Sequence, residues 1–134
     1  MLFTTPTEFK SKKVQHFSID ITTFSGKEGI QGISSIKYSI SIKNLSKSQI
    51  SNFLVCLEND KQVLDLKNKN FMFSKSLMNN IVVRFESQVK KEEIESLIFG
   101  NNLKIHIKDS SGNICETFDA ERLEKKLKII GMSL

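Results

Sequence analysis

The chain has no tryptophan and only one tyrosine, one proline and one alanine among its 134 residues; its cysteines and histidines number two each. A single alanine, Ala120, argues against a helical bundle, since alanine is the best helix former, while the abundant Ile, Val, Phe and Thr favour a pleated surface. The two cysteines and two histidines, at 56, 115, 16 and 106, include no close pair in sequence, which argues against a zinc motif of three or four converging ligands. No metal or cofactor is therefore expected. Only Arg84 and Arg122 are arginine, whereas surfaces that grip phosphate or read a groove favour the forked guanidinium. No apolar run approaches the roughly 18 residues of a membrane helix, and MLFTTPTEFKSKK lacks the apolar stretch and cleavage site of a secretory signal. The chain as written is expected to be soluble and cytoplasmic, and periplasmic or secreted only if a signal was removed or another route is used.

What is present points to one domain. Leu, Ile, Val and Phe make up about a third of the residues, enough for a core. The net charge of +5 is uneven: residues 1–50 hold seven lysines and three acids, whereas the rest is nearly balanced. Residues 1–13, polar and basic around Pro6, read as a flexible arm that could be removed without unfolding residues 14–134.

Along the chain, Phe17, Ile19 and Ile21 alternate with polar residues over 14–24, and Ile36, Tyr38, Ile40 and Ile42 do the same, the period of half-buried strands. SGKEGIQG between them is a glycine-rich loop. Residues 53–57, 63–66, 81–86, 103–108 and 114–118 read as further strands, and 71–73 as a weak apolar patch. Ile94, Leu97 and Ile98 predict a short amphipathic helix over 91–99. Asp119 as N-cap, the Leu123, Leu127 and Ile130 stripe and Gly131 as terminator predict a closing helix. The fold class expected is mainly β with minor α, a single-domain β-sandwich or open barrel with a short helix and a C-terminal capping helix.

The chemistry-bearing residues give little. His16 and Asp20 share one strand face and read as solvated surface; His106, flanked by Lys104 and Lys108, reads the same way. Cys56 in FLVCL and Cys115 in ICETF read as buried free thiols, though pairing stays open because it requires Cα atoms roughly 4.4–6.8 Å apart. SGKEGIQG lacks the spacing of a phosphate loop, and no GxSxG elbow occurs among the serines. No catalytic residue is assigned. The candidate binding residues are Lys10, Lys12 and Lys13 of the arm, Gly26, Lys27, Gly29 and Gly32 of the loop, and Lys37 and Lys43 of the following strand.

The run from Phe24-Ser-Gly-Lys-Glu-Gly to Tyr38-Ser-Ile-Ser-Ile resembles the opening of tail-hub and spike proteins of contractile phages and secretion systems, with extra residues inserted before the second strand. NNIVVRFES, LKIHIKD and TFDAERLEKKLKIIG resemble the close of small periplasmic β-sandwich proteins, without their export signal. Both resemblances imply assembly rather than catalysis, and no functional residue is carried over from either. The leading expectation is a non-enzymatic binding or structural module, a small subunit of a secretion, phage or envelope complex, whose partners are other protein subunits. The alternatives are a nucleic-acid-binding protein using the basic first third and a small enzyme of unknown reaction; no small-molecule substrate is evident.

Overall fold

Alternating apolar and polar residues sort the strands into two main antiparallel sheets and a separate two-stranded hairpin in the computed structural model, which describes residues 1–134, the side chain of Leu77 aside. In chain order the elements are β1 (Leu2–Phe3), β2 (Thr7–Phe9), β3 (Val14–Thr23), β4 (Ser25–Gly26), β5 (Gly29–Ile30), β6 (Ser34–Ile42), α1 (Lys47–Ser51), β7 (Leu54–Glu58), β8 (Val63–Asp65), β9 (Lys69–Leu77), β10 (Asn80–Val89), α2 (Lys91–Phe99), β11 (Lys104–Lys108), β12 (Ile114–Asp119) and α3 (Glu121–Met132). The larger sheet runs β1-β3-β6-β10-β9, with β2 following β1 along the same edge of β3; the smaller runs β12-β11-β7-β8. The fold is mainly β with three helices, the last of them C-terminal, and both main sheets are open and not closed into a barrel, as expected of a sandwich or open barrel.

The inward face of the larger sheet carries a ladder of rings. Phe9, Phe17, Tyr38, Phe85 and Phe71 come from β2, β3, β6, β10 and β9, with successive centroids 6.3, 5.9, 5.5 and 6.4 Å apart. These spacings suit offset and edge-on aromatic pairs, which add to simple area burial. Phe118 of β12 joins the ladder to the smaller sheet, lying 6.0 Å from Phe17 and 5.3 Å from Phe9. Val55, Leu57, Ile105 and Ile107 complete the facing layer. On the outward face Arg84 reaches Asp20 at 2.7 Å and the Ser39 hydroxyl at 2.9 Å, tying three strands together.

The structure corrects the expectation for residues 1–13. They are not a free arm: β1 and β2 continue the sheet on either side of Thr4–Pro6, and Thr4, Thr7 and Phe9 are buried. Thr4 closes the gap, donating its amide to the Ile21 carbonyl and accepting the Ile21 amide on its hydroxyl. From α3, Lys126 donates to the Thr5 and Pro6 carbonyls and the Thr7 hydroxyl, while Arg122 donates to the Glu8 carbonyl and lies over the Phe9 ring. Pro6, which cannot donate to a ladder, sits where pairing pauses.

Two further differences have local causes. Helix α3 runs through Gly131 to Met132, and Gly131 packs against α2 there: a Cβ would lie 3.0 Å from Ile98. The N-cap is Ala120, not Asp119, whose carboxylate instead accepts the Glu121 amide. The weak patch at 71–73 belongs to a nine-residue strand, β9, whose alternation is broken by a bulge: Arg84 faces Phe73 but Phe85 faces Phe71, leaving Met72 as the extra residue.

Removing the first rung should be costly. Phe9→Ala is expected to lower stability to urea by about 3 kcal/mol, as for other buried aromatic truncations. Tyr38→Phe should act oppositely. The Tyr38 hydroxyl is buried without a hydrogen-bond partner, and burial pushes its pKa well up, so removing it should raise stability by about 1 kcal/mol in the same titration.

Candidate binding surfaces

Three of the expected binding residues converge. β3 begins at Val14 and its antiparallel neighbour β6 ends at Ile42, and these two residues are register partners, so Lys12 and Lys13 before β3 meet Lys43 after β6. The Lys43 amide donates to the Lys13 carbonyl at 3.3 Å, fixing the two chain segments together. The three lysines rim a cleft of about 340 Å³ whose walls are Val14, Ile42, Leu45, Phe53 and Ile107, with Cys115 and Glu116 at the side of the smaller sheet. Two bulges flank it. Gln15 is the extra residue between the Val14 and His16 pairings of β3, and Cys115 is the extra residue in β12 opposite Ile107 and Lys108. Bulges bend their strands and increase local twist, which suits the separation of the sheets at this end.

The other expected residues lie elsewhere. Lys10 borders a second hollow with Glu8, Phe9, His16, Phe118 and Arg122. Lys37 lies on the outward face of the larger sheet, 3.8 Å from Glu86. Gly26, Lys27 and Gly29 form the tight β4–β5 hairpin, in which Gly29 takes φ +92° and Ile30 enters the core. Gly32, at φ +72°, lines a cleft of about 410 Å³ with Asp65, Lys67, Ser87, Lys90 and Glu93, where charges of both signs face each other.

The smaller sheet has an outward polar row that sequence reasoning missed. Cross-strand pairing aligns Asp65, Cys56, His106 and Thr117 on β8, β7, β11 and β12. His106 is buried rather than on the surface: its Nε2 lies 2.8 Å from the Glu58 carboxylate and its Nδ1 2.8 Å from the Thr117 hydroxyl. Thr117 stands directly opposite His106 and Glu58 is its diagonal neighbour on β7, so the side chains that contact the ring come from the adjacent strands and not from Lys104 and Lys108 on its own strand. His16 and Asp20 do not pair, because Asp20 is held by Arg84.

Cys56 is wholly buried, and burial first, then its hydrogen bond to the Asp65 carboxylate, pushes the thiol up to about 12. Burial opposes ionisation of Asp65, but the Cys56 thiol and the neighbouring Lys108, at 3.4 Å, outweigh it and hold the carboxyl below its ordinary value. Both cysteines are free. They sit on strands separated by β11, and Cys115, at its bulge, is only half-buried, against the expectation of a buried thiol.

The free edge of β9 is the most apolar exposed strand. Phe71, Met72 and Phe73 are 47 %, 40 % and 46 % exposed in succession. The Lys47 ammonium sits 3.8 Å from the centre of the Phe71 ring. Lys69 turns inward, donating to the Phe53 carbonyl and lying 4.6 Å from the centre of the Phe85 ring; burial lowers its pKa. Among the described residues no group of three or more His, Cys, Asp or Glu could hold a metal ion, and no helix is long and apolar enough to cross a membrane. No protein-family model, no curated protein and no solved structure matches the chain.

Because the Asp65 carboxyl titrates lower in the folded chain than in the unfolded one, its stabilising share is present above the unfolded value, near 4, and is lost as pH falls through the folded value. Urea titrations of the wild type and Asp65→Asn should differ at pH 6 and converge as the pH is taken below about 4.

Proposed function

We propose that this protein is a non-enzymatic binding module, a small subunit of a larger protein assembly such as a secretion, phage or envelope complex, that receives an extended segment of a partner protein along the free edge of β9. The observation that carries this reading is the open end of the aromatic ladder. Phe71 is the last ring, it is half-exposed, and its strand has a neighbour on one side only.

An added strand would gain affinity from main-chain hydrogen bonds and specificity from side-chain positions on alternate faces. The bulge supplies those positions: Phe71 faces inward beside Phe85, whereas Phe73 stands opposite Arg84 on the outward face. Edge strands are usually guarded by charge, especially lysine. Here Lys69 is drawn inside, and Phe71, Met72 and Phe73 follow it as three successive partly exposed apolar residues. Exposed Lys47 and Lys75 flank this stretch, so the segment that fits is apolar in its middle and acidic beside it.

The chemistry of the buried polar row supports the non-enzymatic part of the proposal. A thiol held near 12 and donating to a carboxylate is a poor nucleophile, and the imidazole is engaged at both nitrogens. The nucleic-acid alternative has less support, because Lys37 and Lys43 stand six residues apart along one strand direction, about 20 Å by strand rise, and Lys37 is already beside Glu86.

Tagged full-length protein isolated with its native complex from source cells tests the proposal. The Met72→Lys, Phe73→Lys double variant should keep its melting temperature and lose at least tenfold in affinity for the partner, about 1.4 kcal/mol. A variant that retains the partner at wild-type strength would remove β9 from the interface.

A further inference from the structure

We infer that the cleft between Lys12, Lys13 and Lys43 is a binding site for a small amphipathic carboxylate, an unbranched acyl chain of medium length whose head is held by the lysines. The inference does not rest on the β9 interface, because the cleft is lined from β3, β6, β11 and β12 and the segments beside them and by no residue of β9.

The walls dictate the tail. Val14, Ile42 and Ile107 are buried core residues that continue the inter-sheet layer, and Leu45 and Phe53 pack partly against it. A site with such walls gains free energy by removing an apolar chain from water and offers it few competing polar groups. Its volume of about 340 Å³ lies at the low end of the roughly 300–1,000 Å³ typical of small-molecule sites, which restricts the ligand to one short chain.

The rim dictates the head. Lys12, Lys13 and Lys43 are all exposed, while Glu116 is the one carboxylate on the lining, so the mouth carries an excess of positive charge. Positive charge concentrated at the mouth of a low-dielectric slot favours an anion over a neutral or cationic head of the same length. The lysines are also positioned before any ligand arrives. Their segments are joined by the Lys43–Lys13 main-chain hydrogen bond and by the Leu45 amide donating to the Ile42 carbonyl, so binding requires little ordering of the backbone.

Cys115 provides a readout, because it is half-buried on the lining of the cleft whereas Cys56 is sealed in the polar row. Decanoate, titrated below its micelle concentration into the full-length wild type by calorimetry, should bind. It should slow alkylation of Cys115 at least fivefold. Decanol and decyltrimethylammonium should bind at least tenfold more weakly, and inorganic phosphate should leave Cys115 labelling unchanged. The Lys12→Ser, Lys13→Ser, Lys43→Ser variant, altered only at exposed positions, should weaken decanoate at least tenfold while its melting temperature holds. Failure of decanoate to bind at millimolar concentration would overturn the inference. So would equal binding of decanol, equal protection by phosphate, or wild-type affinity in the lysine variant; each would show that chain and head are not recognised together.

Discussion

The row of rings across the larger sheet is the constraint on which the rest of this fold depends. Five strands each contribute one aromatic side chain to it, and Phe118 couples it to the second sheet. Register follows from this, because slipping any one strand by a residue would turn its ring to the outward face and put a polar residue into the core. The two ends of the row are treated differently. At one end Phe9 is covered by α3 through Arg122 and Lys126; at the other, Phe71 has only the Lys47 ammonium above it and solvent beside it. That asymmetry is the physical basis for placing a partner at β9 and not at the β1–β2 edge.

Departures from regular pairing coincide with both proposed binding surfaces. The bulge at Met72 distributes apolar side chains to both faces of an edge strand, and the bulges at Gln15 and Cys115 flank the lysine-rimmed cleft. Regular stretches of β3, β6 and β10 between these points bury nearly all their inward side chains. Rigid strands therefore hold the irregular segments in place. Both arginines serve the scaffold as well: Arg84 crosses the outward face to Asp20, and Arg122 holds the first edge strand.

Much of the fold was legible in the sequence, for a simple reason. Residues 14–23 and 34–42 carry apolar side chains on one face and mostly polar ones on the other, so they alternate visibly even though Ser18, Ser39 and Ser41 are buried as well; the 91–99 helix likewise shows its stripe of Ile94, Leu97 and Ile98. β9 was hidden because its bulge breaks the alternation, and the first edge strand because two- and three-residue pieces around Pro6 are too short to show a period. His106 was misread because its environment comes from strands 48 residues before and 11 residues after it. Gly131 has the same signature as a helix stop, yet its role is close packing against α2. The lysine cluster was readable in part: an antiparallel pairing of the two clearest strands brings the start of one to the end of the other. Its apolar walls were not, since Phe53 and Ile107 join the site only when the second sheet closes over the first.

Native-state hydrogen exchange followed residue by residue in the isolated chain tests the central claim most directly. If the ring ladder is the rigid element and its β9 end is open, amides of β6 and β10 will exchange only through global unfolding. The amides of β9 that point away from β10 will exchange orders of magnitude faster. Uniform protection across β9, β10 and β6 would contradict the account, because it would mean that the edge is already covered and has no place for another strand.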